Sequence, residues 1–503
     1  MNEALKKNLE LVKSTLDKAG QYYHAAGVLS YDQETICPPK AMQEQGEIGA
    51  FLSNEGFKLT KDPAYIQACE AIYAERDSLD DPLDRELAIH LHRDYSKTKN
   101  ITPELSYEAD LVSNKAFVDW LNAKQQKDFS LFADSLKAQR DMNIRLMELR
   151  DEHSENLYDE MLQDYERGVT ESDIDEWFGA FKERIIPLLK KIQQSPKKIR
   201  TDFLYRPVTD EQQRQMGQYL LEVMGYDFSR GCFTTTEHPF TSGLSKNDIR
   251  ITTNYSPNLF ISNIFTIVHE GGHALFEMLQ PETNWDYHLT GGKTMGMHES
   301  SSRFYENRIG RSLSFVKLIY PRMKEIFPGV LEDVTEEEFY EAINLVTPSL
   351  VRVDADELTY TFHIIIRYEI EKEIMSGKVD IRELPALWNA KYREYLDIEP
   401  ADDAEGILQD VHWTFGFGYF PTYAIGNMYN AMYYNRMKED LDIDQAVAQG
   451  NFAAINSWME QHVYARADRL APKDWIRDIC GRDFTPNDFL DYLEEKYTKL
   501  YEL

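Results

Sequence analysis

The sequence predicts a mainly α-helical protein with a small β-hairpin or sheet, and three observations support this prediction. Apolar residues recur at helical spacing through most of the 503 residues, for example from Asp356 to Ser376, and Gly377 then stands where a helix C-cap glycine would. Strand-like alternation is clear only between about residues 233 and 255, where FTTTEHPF and DIRITTNY flank the turn-forming segment TSGLSKN. No internal repeat, low-complexity tract or linker divides the sequence. We therefore expect a single domain over residues 1–503, either undivided or built from two helical lobes.

The first helix is expected at the N-terminus. In MNEALKKNLELVKSTLDKAG, leucines and a valine recur at helical spacing among lysines and glutamates, whereas a signal peptide needs an uninterrupted apolar segment. No apolar run approaches the roughly 20 residues that a membrane-spanning helix needs. We therefore expect a cytoplasmic protein without a membrane anchor.

Composition excludes several classes of partner. With 42% hydrophobic and 12% aromatic residues, the chain can bury a large core. Its formal net charge of −31 repels phosphate backbones and anionic lipid surfaces, so neither nucleic acid nor a membrane is an expected partner. The four cysteines are widely scattered without a Cys-x-x-Cys pair, which predicts free thiols rather than a disulfide framework or a thiolate zinc site.

The segment IVHEGGHALFE, residues 267–277, has the spacing of a helical metal site. Positions four residues apart share one helix face, so His269 and His273 can present their imidazoles to a single zinc ion. Glu270 is turned about 100° around the helix axis. It would therefore miss the metal and yet lie close enough to take a proton from an activated water. The apolar residues around this motif predict a buried helix.

Two glycines at the centre of that helix need an explanation. Each of Gly271 and Gly272 costs roughly 1 kcal/mol relative to alanine in a helix interior. We interpret them as sites of close backbone approach, either by a neighbouring strand or by the substrate.

A catalytic zinc needs a third protein ligand and keeps one position open. Glu299, in the segment GMHESSSRFYEN, is the preferred candidate because it begins another helix-like segment after His273. Glu306 and Glu277 are weaker alternatives. His298 could be a weak ligand or a residue that supports the ligands.

Six ordered motifs resemble the carboxypeptidase Taq family of zinc metallocarboxypeptidases. They are His238-Pro239-Phe240; Asp248-x-Arg250-x-Thr252; His269-Glu270-x-x-His273; His298-Glu299-Ser300-x-Ser302; Arg352-x-x-Ala355-Asp356; and Gly406-x-x-Gln409-Asp410-x-His412-Trp413. The segments YDQETICPPKAMQEQGE and GYFPTYAIGN extend the resemblance over nearly the whole chain. Two positions differ from the family: Tyr31, where relatives usually have Trp, and Ser301, where Gln is common. These differences bear on fine packing and substrate preference.

The resemblance implies a mostly helical fold with a deep substrate groove, a zinc or cobalt ion at its base, and a homodimer. It also implies an enzyme that removes single residues from peptide C-termini with broad side-chain tolerance. By motif position, His269, His273 and Glu299 would bind the metal, and Glu270 would be the catalytic acid and base.

The remaining functional residues follow from the needs of the reaction. A developing oxyanion needs a hydrogen-bond donor besides the metal, and His412 and Tyr423 are candidates. A carboxypeptidase also needs a cation for the substrate carboxylate, preferably an arginine, and Arg250 and Arg352 lie in family motifs. His238 could be a donor in the groove or a turn residue before Pro239.

Supporting residues are expected around the ligands. Hydrogen bonds beside Glu299 would fix its carboxylate, and the candidates are Ser300, Ser302 and Arg303. A carboxylate would orient each metal histidine through its second ring nitrogen. The candidates for that role, among which the sequence does not choose, are Asp248, Asp354, Asp356 and Asp410.

Three functions are compatible with these patterns. The preferred one is a zinc carboxypeptidase acting on short peptides. The second is an oligoendopeptidase or dipeptidyl carboxypeptidase on a similar helical fold. The third is a catalytically inactive acidic scaffold that binds peptides, although an intact His-Glu-x-x-His with a third ligand argues against it.

Overall fold

The computed structural model describes residues 1–290 and 294–503, and it confirms the mainly helical fold. The N-terminal part contains α1 (Glu3–Thr35), α2 (Met42–Thr60), α3 (Pro63–Ala74), α4 (Pro82–Thr98), α5 (Pro103–Gln126), α6 (Ser130–Met147), α7 (Leu157–Leu162), α8 (Glu171–Gln194) and α9 (Asp210–Met224). After the sheet come α10 (Phe260–Met278), α11 (Glu282–Asp286), α12 (Met295–Arg303), a π-helical segment (Phe304–Gly310), α13 (Leu313–Ile326) and α14 (Glu336–Ile343). The C-terminal part contains α15 (Tyr360–Ser376), α16 (Leu384–Leu396), α17 (Pro421–Asp440), α18 (Ile443–Ala448), α19 (Phe452–His462), α20 (Pro472–Cys480) and α21 (Asn487–Tyr501).

Capping residues set the ends of the predicted helices. The side chain of Asn2 accepts the Leu5 N–H at the start of α1, which confirms the predicted N-terminal helix. Gly377 ends α15 in the left-handed conformation, with φ of 65°, as expected for a C-cap glycine. The same helix begins at Tyr360 rather than at Asp356, because the Asp356 carboxylate accepts backbone N–H groups in the preceding turn.

The small β-structure predicted beside the metal-site helix is present as a three-stranded sheet. Its strands are β1 (Phe233–Thr235), β2 (Thr241–Ser245) and β3 (Asp248–Thr253), in the order β1-β3-β2. The antiparallel pair is β2 with β3, whereas β1 runs parallel to β3. The prediction was therefore wrong in taking TSGLSKN as a turn only, since it contains β2. That strand carries small and polar residues, so its alternation was not visible in the sequence.

Two hydrophobic clusters organise the described residues. The larger one contains α10, whose buried residues include Ile267 and Leu275, together with Ile249 and Ile251 of β3. The smaller one joins α1, α3 and α4. Helix α10 packs against α9, α12 and the sheet, so it is surrounded on several sides. The metal-binding motif therefore lies on a buried and rigidly supported helix.

Two further properties concern the chain as a whole. All four cysteines are free thiols. Within the described residues, none of the helices combines the length and the apolar character needed to cross a bilayer.

Candidate metal centre

Three side chains that the sequence singled out come together between α10 and α12. His269 and His273 lie on one face of α10, and Glu299 lies on α12. One ligand atom from each residue lies within 4.8 Å of the other two. Oε2 of Glu299 is 3.6 Å from Nε2 of His269 and 3.4 Å from Nε2 of His273. Two imidazole nitrogens and one carboxylate oxygen suit a catalytic zinc site with an open position. We call these three residues the metal triad.

Gly272 allows the two helices to come this close. A Cβ atom at this position would lie 2.7 Å from Cα of Ser302 and 2.9 Å from the carbonyl oxygen of Ser301. Ser301 also donates its hydroxyl to the Gly272 carbonyl oxygen at 2.8 Å. The close neighbour is therefore helix α12, and the expectation of a strand or a substrate at this glycine was wrong. Gly271 faces the flexible side chain of Met224 instead.

The carboxylate of Glu299 is held by its own helix. Nε of Arg303 donates to its Oε1 at 2.8 Å, and the hydroxyl of Ser302 donates to its Oε2 at 3.0 Å. Burial disfavours the charged form, yet Arg303 and the two histidines hold the pKa of Glu299 well below its usual range. The Glu299 carboxylate therefore stays ionised although it is buried.

Glu306 supports the triad and is not part of it. Nδ1 of His269 donates to Oε2 of Glu306 at 2.9 Å, which fixes the orientation of the imidazole ring. Glu306 also pairs with Arg303 and Arg311. Burial opposes its charge, but Arg303 and His269 outweigh this effect and lower the pKa of Glu306. Glu306, in the π-helical segment, therefore contacts both Arg303, which holds Glu299, and the second ring nitrogen of His269.

Three of the aspartates considered for that role bind elsewhere, and the fourth, Asp354, is exposed. Asp248 pairs with Arg250. Asp410 pairs with Arg352 and Arg367. Asp356 caps the turn before α15. Helical spacing indicated Glu306 only as a possible ligand, so its contact with His269 was not predicted.

A segment distant in sequence caps the start of α12. The N-cap side chain makes no capping hydrogen bond. Instead, the Met295 N–H donates to the Tyr165 carbonyl oxygen at 3.1 Å, and the Gly296 N–H donates to Oε1 of Glu166. Tyr429 donates its hydroxyl to the other oxygen of Glu166 at 3.0 Å. Burial raises the pKa of Glu166 to about 8.

Glu270 follows the first histidine and is also buried. Its Oε2 accepts the hydroxyl of Thr241, the first residue of β2, at 2.6 Å. Burial raises the pKa of Glu270 above its ordinary value. Thr241 was not predicted as a site residue, although it directly follows the His238-Pro239-Phe240 motif.

His298 and Glu277 form a pair behind the triad. The ring of His298 stacks on that of His273, with centroids 4.5 Å apart. Its Nε2 donates to Oε1 of Glu277 at 3.0 Å. Among the described residues, the group of possible ligand atoms contains only those of His269, His273 and Glu299. Glu277 and His298, which the sequence offered as alternative ligands, therefore lie beside the triad.

A second group, the Arg352 cluster, consists of Arg352, Tyr360, Asp410, His412 and Tyr423. The Arg352 guanidinium donates to Asp410 at 3.0 Å and to the Tyr360 hydroxyl at 3.2 Å, and it stacks on Tyr423. Nε2 of His412 lies 3.3 Å from the Tyr423 hydroxyl. Burial lowers the pKa of His412 to about 4 and raises that of Tyr423. His412 is therefore neutral and Tyr423 protonated at neutral pH.

Arg303 links the triad to this cluster. Its guanidinium binds Glu299 and lies over the ring of Tyr360, 4.4 Å from the centroid. Tyr360 in turn accepts a hydrogen bond from Arg352. The two groups are thus neighbours, although their residues come from distant parts of the chain. Tyr360 was not predicted, because nothing in its helical segment distinguishes it from a core tyrosine.

The other two predicted substrate residues, Arg250 and His238, lie in the three-stranded sheet and in one of its connections. Arg250, on β3, binds Asp248 through Nε and Nη2, both at 2.7 Å, and stacks over Tyr31. Tyr31 also packs edge-on against Phe240. His238 is exposed in the connection between β1 and β2. Contacts in the structure therefore join Arg352, His412 and Tyr423, whereas Arg250 contacts Asp248 and Tyr31.

Both the sequence and the structure of the chain are similar to those of known proteins. A family model described as carboxypeptidase Taq (M32) metallopeptidase matches residues 11–497. The chain is 39% identical to carboxypeptidase 1 of Bacillus subtilis over 492 residues, or 97% of each chain. It is 34% identical to thermostable carboxypeptidase 1 of Thermus thermophilus over 501 residues, covering 95% of this chain and 96% of the relative. The crystal structure of an M32 carboxypeptidase from Deinococcus radiodurans R1 matches with a TM-score of 0.95 at 30% identity, covering 99% of this chain and 100% of that one.

These matches extend over almost the full length of the chain and of its relatives. They agree with the fold, with the motif order in the sequence, and with a candidate metal site between α10 and α12. The chain therefore belongs to the carboxypeptidase Taq (M32) family of metallopeptidases.

Proposed function

We propose that this protein releases single amino acids from the C-termini of peptides, with broad side-chain specificity, at one divalent metal ion held by His269, His273 and Glu299. The observation that carries this proposal is the metal triad, with Glu270 buried beside it. A zinc ion bound there would lower the pKa of a water molecule and polarise the scissile carbonyl group. Two nitrogen ligands and one oxygen ligand favour zinc, and cobalt is the alternative.

Glu270 would be the general base and then the general acid. Its carboxylate accepts a proton from the attacking water and later donates it to the leaving amine. A pKa raised above that of an ordinary glutamate makes the carboxylate a stronger base toward the proton of the attacking water. The buried surroundings keep bulk water from competing for that proton.

His412 and Tyr423 would stabilise the oxyanion that develops on the scissile carbonyl. The Tyr423 hydroxyl keeps its proton at neutral pH and is therefore a donor. His412 is neutral, so it can donate one hydrogen without carrying a charge. Because both residues adjoin Arg352, an oxyanion and a terminal carboxylate can be bound side by side.

Arg352 would bind the substrate carboxylate. Its planar guanidinium matches a carboxylate geometrically, and Asp410 and Tyr360 hold it in one orientation. A local cation is also needed because a net charge of −31 repels an anionic peptide end. Arg250 and His238 would contact parts of the peptide farther along the groove.

The wider setting is also part of the proposal. We expect one catalytic domain over residues 1–503, a homodimer and a cytoplasmic location. The first test leaves these aside, because the chemistry can be examined on the isolated protein.

The deciding experiment compares an N-blocked short peptide with its C-terminally amidated twin, using zinc-loaded or cobalt-loaded wild type and the Glu270→Gln variant. We expect cleavage of only the free-acid peptide, a product one residue shorter by mass spectrometry, and a loss of at least about 100-fold in the variant. Equal cleavage of both peptides would instead indicate the oligoendopeptidase. No cleavage with either metal would favour the inactive scaffold.

A further inference from the structure

The hydroxyl of Thr241 lies beside the proposed general base. Its Oγ1 is 2.6 Å from Oε2 of Glu270 and 3.0 Å from the Glu270 carbonyl oxygen. A hydroxyl has one hydrogen to donate, and the shorter contact is the one to the carboxylate. The carboxylate oxygen Oε2 is thus engaged, whereas Oε1 is the oxygen left to exchange protons.

Thr241 reaches Glu270 because β2 lies close to α10. Alternate residues of a strand point to the same face, so Thr241 and Gly243 both face the helix. A Cβ atom on Gly243 would lie 3.2 Å from Cγ of Glu277, two turns along α10 from Glu270. Gly243 therefore allows β2 to lie close to α10, and this close packing brings the Thr241 hydroxyl to Glu270.

The residue before Thr241 is fixed by a clamp from β3. The Phe240 N–H donates to Oγ1 of Thr252 at 2.7 Å, and the Thr252 N–H donates to the Phe240 carbonyl oxygen at 2.8 Å. Thr252 is fully buried. These bonds join two of the sequence motifs, so the register of β2 at Thr241 is set by specific contacts.

We propose that Thr241 is a positioning residue for Glu270, and that Phe240 and Thr252 hold it in place. Its hydroxyl fixes one carboxylate oxygen, so that the other faces the attacking water and the leaving amine. The inference rests on the proposed function of Glu270. A glutamate side chain has several rotatable bonds, and a displacement of about 1 Å at a catalytic group can cost on the order of 100-fold in rate.

The test compares Thr241→Val, which removes the hydroxyl but keeps the side-chain shape, with Thr241→Ser, which keeps the hydroxyl. Thr236→Val is the matched control, because it removes a threonine hydrogen bond directly after β1, from Oγ1 to the Glu34 carbonyl oxygen. All variants are loaded with zinc and assayed on the free-acid peptide. Bound metal and the thermal unfolding midpoint are measured in parallel.

For Thr241→Val we expect kcat to fall about tenfold to hundredfold, with KM and metal content nearly unchanged. Thr241→Ser and Thr236→Val should stay within about threefold of wild type. A crystal structure of Thr241→Val should show Glu270 in more than one rotamer, whereas wild type should show one.

Other outcomes separate this inference from the proposed function. If wild type cleaves the peptide and Thr241→Val keeps its kcat, the positioning role is wrong and the function stands. Equal losses in the Val and Ser variants, or loss of metal in Thr241→Val, would also overturn it, because the effect would then come from packing. If wild type itself is inactive with either metal, the proposed function fails first.

Discussion

The metal triad and the Arg352 cluster are assembled in different ways. The triad and its supports come from α10, α12 and the π-helical segment that continues α12, and Glu299, Ser302, Arg303 and Glu306 lie within two turns of one another. The Arg352 cluster draws its five residues from four segments, with Asp410 and His412 in the same loop before α17. The loop that carries Asp410 and His412 is held by hydrogen bonds from other helices. For example, the indole N–H of Trp120 on α5 donates to the Leu408 carbonyl oxygen at 3.0 Å.

This difference indicates which contacts each site depends on, and so which substitutions should disrupt it. Helical spacing alone positions most of the metal site, so its weak points are the contacts between α10 and α12. The Arg352 cluster depends on long-range contacts, such as Glu371, whose carboxylate accepts N–H groups from Trp413 and Gly418. Substitutions should therefore affect metal binding in the first region and substrate binding in the second.

The largest effect is expected for Gly272→Ala. The new Cβ would meet the backbone of α12 at 2.7 Å, and backbone cannot move aside as a side-chain end can. We expect α12 and Glu299 to shift and metal affinity to fall by more than about 100-fold. Metal affinity is measured by competition with a chelator.

Gly271→Ala is the matched control for that substitution. Its Cβ would meet the flexible end of Met224 at 2.8 Å, so metal affinity should change little. Equal losses in the two variants would contradict a specific role for the contact between α10 and α12.

The next effect concerns Glu306→Gln. The variant can still accept the His269 Nδ1 hydrogen, but it removes the charge that balances Arg303 and Arg311. We expect metal affinity to fall about tenfold to hundredfold with the fold intact. Glu277→Gln, which alters the carboxylate bound to His298, should leave metal affinity within about threefold of wild type. If Glu277→Gln is the more damaging of the two, the assignment of supports is wrong.

A smaller effect is expected in the Arg352 cluster, for the substitution Arg352→Lys. The lysine keeps the charge but loses the planar pair of donors, so KM for the free-acid peptide should rise about tenfold. Metal content should not change. Arg250→Lys should raise KM by no more than about threefold. Steady-state kinetics on both variants would measure these changes. A larger rise in KM for Arg250→Lys than for Arg352→Lys would assign binding of the substrate carboxylate to Arg250.

The last effect, on stability rather than on metal or substrate binding, is a pH dependence from Glu166. Its pKa is about 8 in the fold, compared with about 4.3 for an ordinary glutamate in the unfolded chain. Between these values the folded state binds the extra proton, so stability should fall as pH rises from about 5 to about 8, by at most about 1.4 kcal/mol per pH unit.

Glu166→Gln tests this prediction by denaturant unfolding at several pH values. The amide can accept the Gly296 N–H and donate to the Tyr429 oxygen, so the contacts survive without a titrating group. We expect the stability of the variant to vary less with pH than that of wild type. The same slope in both proteins would assign the pH dependence to another group.

The sequence predicted the helical part of this molecule best. Positions i and i+4 on a helix face determine a contact without any knowledge of the fold, and His269 and His273 lie accordingly. Capping chemistry likewise predicted the end of α15 at Gly377. The choice of Glu299 relied on the need for a third ligand and on its motif, and the structure brings it to the two histidines.

The misses share a physical cause. Thr241 and Glu270 are 29 residues apart, and Glu166 and Gly296 are 130 apart. Neither distance corresponds to a helical or strand period, so no local pattern predicts the contact. Strand β2 was missed because TSGLS has little apolar alternation, and its pairing depends on Phe240 and Thr252.

The most direct test of the central claim, that α10 and α12 together form a site for one divalent metal, is a cobalt titration of the metal-free protein followed by visible absorption. We predict one cobalt ion per chain in wild type and in Glu270→Gln, and loss of that binding in Glu299→Gln. Unchanged stoichiometry and spectrum in Glu299→Gln, or no binding in wild type, would contradict the account.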